Sequence, residues 1–142
     1  MYQGLDLDEE SFYRRKREQF SAIAWEFVHS GIFAELSGST CKTLMAIASL
    51  TNKYRNMCYS NRIISEWAGI NDCTVKKSLR ELEYYHLIKR FDLPGGKRTN
   101  RIRMIVLQRW DSVKDVLIEE NKIEVDSMGK VVSVKPYPFR KQ

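Results

Sequence analysis

Apolar residues recur at helical spacing near the middle of the chain. One set repeats at i, i+3, i+4 and i+7 and consists of Cys41, Leu44, Met45 and Ala48. Ile47 and Leu50 widen this stripe, so we expect a well-buried helix that runs to about residue 53. Either Ser37 or Ser39 is placed to cap its N-terminus, because a serine oxygen can accept a hydrogen bond from the first turn of a helix.

A short helix is predicted next, after a polar connection and a brief strand at Met57–Tyr59. Ser60 is a favourable N-cap for a helix over Asn61–Ala68. Gly69 fits the position just past the C-terminus of this helix, where glycine adopts left-handed backbone angles easily. The side chains that we expect to face inward are Ile63, Ile64 and Trp67.

A longer helix follows the tight turn after Gly69. Asn71 or Asp72 is expected to cap it, and it extends to about residue 85. Its last residues include Tyr84 and Tyr85, which we expect to be structural, and His86 is expected to interact with its terminal carbonyl groups. The core stripe repeats at i, i+4 and i+7 and consists of Val75, Leu79 and Leu82.

Two runs of strand-forming residues, Leu87–Leu93 and Ile102–Leu107, lie on either side of the turn sequence Pro94-Gly95-Gly96 and predict a β-hairpin. The flanking elements that the pattern predicts are helices over Glu9–Ile23 and Asp111–Asn121 and a second hairpin of Ile123–Asp126 and Lys130–Val134. Residues 136–142 contain two prolines and are expected to fray.

The order of helix, short helix, turn, longer helix and hairpin predicts an α+β fold of the winged helix-turn-helix class. In this fold a mainly helical three-helix core carries a β-hairpin, the wing, and the longer helix projects into the ~12 Å major groove of DNA. We predict a helical N-terminal extension over residues 1–30 and the winged helix-turn-helix domain over residues 31–109. An acidic helix, a hairpin and the frayed tail occupy residues 110–142.

The chain is basic, with 24 Lys and Arg residues against 18 Asp and Glu residues and a formal net charge of +6. Residues 93–110 contain five basic residues and no acidic residue, whereas residues 111–127 contain six acids and two bases. Positive charge is therefore concentrated on the predicted wing, which favours nucleic acid as the partner. The acidic segment is expected to face away from DNA or toward a partner protein.

The outward positions of the predicted DNA-facing elements carry residues suited to nucleic acid. Asn and Arg side chains read base edges through paired hydrogen bonds, and Thr and Lys side chains hold phosphates. The longer helix also places Ser78 outside its apolar stripe. The predicted DNA contacts are Ser60, Asn61 and Arg62 near the short helix, Asn71, Thr74, Lys76, Lys77 and Arg80 on the longer helix, and Lys97, Arg98, Thr99, Asn100 and Arg101 on the wing.

Five segments of the chain together resemble a known family. They are Leu36-Ser37, Ser60–Ile64, Thr74–Glu83, Leu87–Arg90 and Gly95–Ile102. Through them, residues 33–107 are similar to the N-terminal winged-helix domains of plasmid and phage replication initiators and replisome organisers of low-GC bacteria. The resemblance implies DNA contact by the helix over Asn71–Arg80 and by the wing. Such initiators continue into a second domain, whereas about 35 residues follow the wing here, so an accessory, regulatory or transfer-origin role is expected.

The sequence shows no pattern of a catalytic or metal site. Cys41, Cys58 and Cys73 are 17 and 15 residues apart, which matches no zinc site and favours free, buried thiols. Phosphate-binding loops and catalytic motifs are absent, so we expect no enzyme activity and no cofactor. No apolar run reaches the ~18 residues of a membrane span, and the acidic first residues lack a signal-peptide pattern, so a cytoplasmic location without membrane contact is expected.

Three functions stay open on the sequence alone. The leading hypothesis is binding of duplex DNA in replication, transfer or transcriptional control of a plasmid, phage or other mobile element. The second is a protein–protein interaction module within a replication or transfer complex, without direct DNA contact. The third is an RNA or single-strand binder whose tryptophans stack on bases. We expect Trp67 to lie in the core, which argues against the third hypothesis. The role of Trp110 stays open. The formation of a homodimer also stays open.

Overall fold

The structure is a computed structural model that describes residues 25–52, 54–94 and 101–139. Six helices and five strands lie within this part of the chain. The helices are α1 (Trp25–His29), α2 (Ile32–Glu35), α3 (Gly38–Leu50), α4 (Asn61–Ala68), α5 (Asp72–Tyr84) and α6 (Trp110–Glu119). The strands are β1 (Asn56–Cys58), β2 (Ile88–Pro94), β3 (Arg101–Leu107), β4 (Ile123–Val125) and β5 (Val131–Val134).

The three central helices begin at the caps that the sequence predicts. Ser37, Ser60 and Asn71 are the N-caps of α3, α4 and α5, and each side-chain oxygen accepts a hydrogen bond from the backbone N–H three residues later. Each such bond satisfies one of the N–H groups that the first turn of a helix leaves without a partner. The starts of all three helices are therefore determined by local sequence.

The turn between α4 and α5 sets the angle of the helix-turn-helix. Gly69 ends α4 with φ 72°, in the left-handed region, and its N–H donates to the carbonyl of Ser65 at 2.9 Å. A side chain at this position would be strained by the backbone angle. The predicted role of Gly69 is therefore confirmed.

The core is built around the inward stripe of α5. Val75, Leu79 and Leu82 have no exposed surface, as predicted, and they belong to one buried cluster with Ile47 of α3 and Ile105 of β3. Burying each such side chain stabilises the fold by ~1.5–3 kcal/mol relative to leaving it exposed. The cluster holds the three helices and the sheet together.

Some predicted core positions are wrong. Ile64 is fully buried, but Ile63 and Trp67 of the same helix are 42% and 67% exposed, and Met45 of α3 is 41% exposed. The short helix α4 buries one side chain against its neighbours, so the flank that carries Ile63 and Trp67 meets solvent. Thr43 is buried on α3 instead, because its hydroxyl donates to the carbonyl of Ser39 and needs no water.

The predicted hairpin forms, and a third strand joins it. The sheet order is β1-β3-β2, and both neighbouring pairs are antiparallel. Ile105 in the middle of β3 lies opposite Met57 on one side and Arg90 on the other. With the three-helix core, this sheet completes a winged helix-turn-helix fold of the α+β class, in which β2 and β3 form the stem of the wing.

The C-terminal elements pack on the same core. Trp110, Val113 and Leu117 of α6 are buried, and the predicted second hairpin is present as β4 and β5. The indole Nε1 of Trp110 donates to Glu26 Oε2 at 2.5 Å, and its ring lies 5.6 Å from that of Phe27. Trp110 therefore packs as a core residue.

The segment after β5 differs from the predicted frayed tail as far as residue 139. Tyr137 packs against Tyr84 with ring centroids 5.3 Å apart, and Phe139 packs against Tyr137 at 5.5 Å. The hydroxyl of the buried Tyr85 donates to the carbonyl of Lys135 at 2.7 Å and ties this segment to the end of α5. Residues 140–142 and the predicted helix over Glu9–Ile23 lie outside the described part of the chain.

Candidate nucleic-acid interface

The outward side of α5 presents three cationic side chains to solvent. Lys76, Lys77 and Arg80 are exposed, and Thr74 beside them is partly buried. We call these four residues the outer face of α5. Ser78, which the spacing predicts to lie outside the core stripe, is only 2% exposed and belongs to the buried side of the helix. The helical period therefore places the cations outside the core, but the buried side of α5 also includes two polar residues, Ser78 and Glu81, that the apolar stripe omits.

Asn71 has a structural role that restricts what it can offer a base. Its side-chain oxygen accepts hydrogen bonds from the backbone N–H of Thr74 at 2.8 Å and from the Thr74 hydroxyl at 2.9 Å. The same oxygen is the cap of α5. The amide nitrogen is therefore the group of Asn71 best placed to donate to a base edge or a phosphate.

The predicted contacts near α4 are similarly engaged. Ser60 accepts from the N–H of Ile63 as the helix cap. The Arg62 guanidinium pairs with Glu66 at 3.1 Å, and the Arg62 side chain is 84% exposed. An exposed pair of this kind contributes only ~0.3–0.5 kcal/mol, so a phosphate can replace Glu66 at little cost.

A groove runs between α5 and the stem of the wing, and we call it the wing groove. Basic side chains outnumber acidic ones along it, four to two. The predicted contact Asn61 also lines it, and its Oδ1 is enclosed without a hydrogen-bond partner in the described part of the chain. Such enclosed polar atoms are uncommon in folded proteins. The lining residues are Tyr59, Asn61, Lys76, Arg80, Glu83, Arg90, Phe91, Asp92 and Arg103.

One cation of the wing groove, Arg90, is engaged in a structural contact. Arg90 on β2 forms an ion pair with Glu83 on α5 and a hydrogen bond with Tyr59. The contact with Glu83, more than that with Tyr59, raises the pKa of Arg90, while partial burial acts in the opposite direction. Arg90 therefore fastens the wing stem to α5 and neutralises one of the two acids in the groove.

Lys76, Arg80 and Arg103 have no carboxylate partner among the residues that the structure describes. They come from α5 and from β3, and the fold brings them to the two sides of one groove. Sequence reasoning did not include Arg103 or Arg90 among the contacts. The alternation of side chains along the two wing strands was the signal that could have identified Arg103. In the hairpin, Arg103 lies opposite Asp92.

The predicted contacts at the tip of the wing lie outside the described part of the chain. These residues are Lys97, Arg98, Thr99 and Asn100. Arg101 begins β3, and only its backbone is described. Their role in DNA contact stays a prediction.

Glu81 is the residue of α5 whose position sequence reasoning missed most clearly. It is 4% exposed, and its two carboxylate oxygens accept hydrogen bonds from the backbone N–H of Ser37 at 3.1 Å and from the Thr40 hydroxyl at 3.2 Å. These partners stand at the start of α3, more than 40 residues away in sequence. Glu81 thereby locks α5 to α3 and holds the outer face of α5 in place.

The acidic segment supplies a partner for His86. Its Nε2 lies 2.7 Å from Glu120 Oε1, and Lys122 lies 2.8 Å from the same oxygen. The hydrogen bond from Lys122, followed by that from His86, lowers the pKa of Glu120. His86 therefore joins the end of α5 to the segment after α6, beyond its predicted role at the helix terminus.

No metal site or disulfide accompanies the groove in the described ranges. The three cysteines are free thiols, and no group of three or more His, Cys, Asp or Glu side chains is arranged to hold a metal ion there. Cys58 and Cys73 are exposed, contrary to the expectation that the cysteines are buried. No helix between residues 25 and 139 that the structure describes is long and apolar enough to cross a membrane.

Comparisons with known proteins give little further information. No family model matches the chain, and no curated protein matches it. Among solved structures, a possible transcriptional regulator from Methanosarcina mazei Go1 is similar over 65% of this chain and 74% of that chain. The two share 11% sequence identity with a TM-score of 0.48. No replication initiator is among these matches.

Proposed function

We propose that the protein binds duplex DNA, with the outer face of α5 in the major groove and the wing on the phosphate backbone or in the minor groove. The observation that best supports this is the wing groove, where Lys76, Arg80 and Arg103 converge without carboxylate partners in the described residues. Duplex DNA carries one negative charge per ~1.7 Å of helix axis, so such a groove attracts it strongly.

The side chains divide into two proposed roles. Arg80 and the amide nitrogen of Asn71 are suited to base edges, because both donate hydrogen bonds from a rigid planar group. Lys76, Lys77 and Arg103 are suited to phosphates, where charge matters more than geometry. The proposed phosphate contacts also include Ser60, Arg62, Thr74, Lys97, Arg98, Thr99, Asn100 and Arg101. Asn61, which lines the groove, is a further proposed contact.

The proposed process is replication, transfer or transcriptional control of a mobile element, served by a cytoplasmic protein without catalytic activity. The motif resemblance of residues 33–107 to replication initiators is the basis for the mobile element. Lys76, Arg80 and Arg103, which have no carboxylate partner in the described residues, support the binding of an anion such as DNA.

The test is fluorescence anisotropy of a labelled random duplex at two salt concentrations. We expect tight binding at low salt that weakens steeply as salt rises, because DNA-bound counterions are released on binding. Lys76→Gln combined with Arg80→Gln should weaken binding strongly. The matched control, Lys42→Gln combined with Lys130→Gln, removes the same charge from exposed positions away from the groove and should change binding far less.

Absence of binding at low salt would overturn the proposal. The protein–protein interaction module would then be preferred, whether the partner is another protein or a second copy of this chain. The exposed flank of α4 that carries Ile63 and Trp67 would be the first surface to mutate.

A further inference from the structure

A cavity of about 220 Å³ lies at the base of the wing, away from the wing groove. We call it the base cavity. Its wall is largely apolar and is formed by Phe27, Leu44, Ala48, Leu87 and Trp110. None of the proposed DNA contacts lines it. A concave apolar wall with a few polar groups is the usual form of a small-molecule site.

Two arginines stand at the polar side of the base cavity. Arg55 donates from Nε to the carbonyl of Leu107 at 3.1 Å and from Nη2 to the carbonyl of Gln108 at 3.0 Å. Arg109 also lines the cavity and is exposed. Neither guanidinium has a carboxylate partner in the part of the chain that the structure describes.

The two positive charges are close enough to act on each other. Burial, and after it the charge of Arg109, lowers the pKa of Arg55. Asp111 also lines the cavity and is exposed, but it lies in the first turn of α6, where an acid offsets the helix dipole. The cavity therefore places two like charges side by side against an apolar wall, an arrangement that an anion would stabilise.

The cavity also adjoins a helix terminus. The ten-residue helix α6 begins at Trp110, with Arg109 at its N-cap position, and no side chain caps it by a hydrogen bond. Helix N-termini carry a partial positive charge and backbone N–H groups that bind anions. Asp111 in the first turn offsets much of this partial charge, so the attraction of the cavity for an anion comes mainly from the two guanidinium groups.

We propose that the base cavity binds a small organic anion, with an apolar ring or chain against Phe27, Leu44 and Trp110 and a carboxylate at Arg55 and Arg109. Its volume of about 220 Å³ is below the ~300–1,000 Å³ of sites for drug-sized ligands, which suits a single ring with one carboxylate. Inorganic phosphate would fit the cavity poorly, because it has no apolar surface to bury against the apolar wall.

Occupation of the base cavity would change the support of the wing. Arg55 holds the carbonyl groups of Leu107, the last residue of β3, and of Gln108 next to it. An anion that draws the Arg55 guanidinium toward itself alters these two hydrogen bonds and with them the end of the wing strand. We expect the ligand to change DNA affinity, and this part of the inference depends on the proposed DNA binding.

The test is titration of the full chain with benzoate, followed by ¹H–¹⁵N NMR, in parallel with benzamide as a neutral molecule of the same shape. We expect saturable shifts at the amides of Arg55 and of residues 107–111 with benzoate. Benzamide should bind roughly tenfold more weakly or worse, because it lacks the charge that strengthens hydrogen bonds to guanidinium groups.

Two variants separate charge from shape. Arg109→Gln should weaken benzoate roughly tenfold, while Lys42→Gln, which removes an exposed charge outside the cavity, should leave it unchanged. Ala48→Met fills the cavity and should abolish binding without loss of charge, so the proposal stays testable if Arg109→Gln fails to fold.

The inference is overturned if benzoate gives no saturable shift, if benzamide binds equally well, or if Lys42→Gln weakens binding as much as Arg109→Gln. A failure of DNA binding is distinguishable, because these titrations contain no DNA. Repeating the anisotropy measurement with saturating benzoate then tests the coupling. An unchanged DNA affinity would overturn the coupling and leave the ligand site standing.

Discussion

The two sides of α5 are made from adjacent residues with opposite environments. Leu79 has no exposed surface, its neighbour Arg80 is exposed, and the next residue, Glu81, is buried again. The inner side belongs to the core that joins helices and sheet, whereas the outer face has cations without described carboxylate partners. One helix thus carries both the stability of the fold and the proposed DNA surface, and substitutions should separate the two.

Of the substitutions that separate the two sides of α5, Leu79→Ala is expected to have the largest effect on the free energy of unfolding. Removing a fully buried leucine should lower the free energy of unfolding by ~2–5 kcal/mol, since apolar burial is lost and a cavity remains. Urea denaturation followed by circular dichroism measures this. Lys77→Ala is the matched control on the outer face and should stay within ~0.5 kcal/mol of the parent. A loss below ~1 kcal/mol for Leu79→Ala would show that the core differs from the one described.

Glu81→Ala tests the buried acid on the inner side. It should lower the free energy of unfolding by ~1–3 kcal/mol, because the N–H of Ser37 and the hydroxyl of Thr40 lose their acceptor. Glu119→Ala removes an exposed acid and is the control in the same urea experiment. Equal stability of these two variants would contradict the role of Glu81 in locking α5 to α3.

Arg80→Ala tests the outer face directly. It should weaken binding to the preferred DNA site by ~1–3 kcal/mol, while the free energy of unfolding stays within ~0.5 kcal/mol of the parent. Selection of the preferred site followed by anisotropy measures the loss. Asn71 is a poorer probe, because its replacement also removes the cap of α5. If Arg80→Ala distinguished the preferred site from random DNA as well as the parent does, Arg80 would not be the residue that recognises the bases.

The double variant Lys97→Ala and Arg98→Ala extends the test to the wing. If these residues hold phosphates, it should weaken binding to all duplexes alike and reduce the slope of log affinity against log salt by about one for each lost contact. Anisotropy with random DNA at several salt concentrations measures the slope. Normal binding of random DNA by this variant would refute the proposed role of the wing tip.

The smallest effect is expected from lowering the pH, through the carboxyl group of Glu26, which lies outside α5. The hydrogen bond from Trp110, followed by that from Lys114, lowers the pKa of Glu26 below its ordinary 4.5. A lowered folded-state pKa stabilises the protein above pH 4.5, and this contribution is lost as pH falls through the folded-state value. Melting temperatures between pH 6 and 3 should therefore fall slightly less for Glu26→Gln than for the parent. Because the Glu26 side chain is 56% exposed, the difference is small, and identical pH profiles would argue against the contact.

The elements with local causes follow from the sequence alone. The caps Ser37, Ser60 and Asn71 act on an N–H three residues away, and the stripe of α5 repeats within two turns. These features depend on neighbouring residues, so periodicity and side-chain chemistry predicted Ser60 and the stripe directly. For the other two caps they left one alternative each, Ser39 and Asp72. The same spacing predicted the exposure of Lys76 and Arg80, which are two of the four cations of the wing groove.

Which apolar and charged residues find partners depends on the packing of distant segments against one another. Trp67 follows the helical pattern of a core residue but is 67% exposed. Glu81 is of a residue type that usually lies on the surface but is 4% exposed. The convergence of Arg103 with Arg80, and of Arg55 with Arg109, likewise joins segments that are distant in sequence. Burial depends on what the fold places opposite a side chain, and neither spacing nor residue type carries that information.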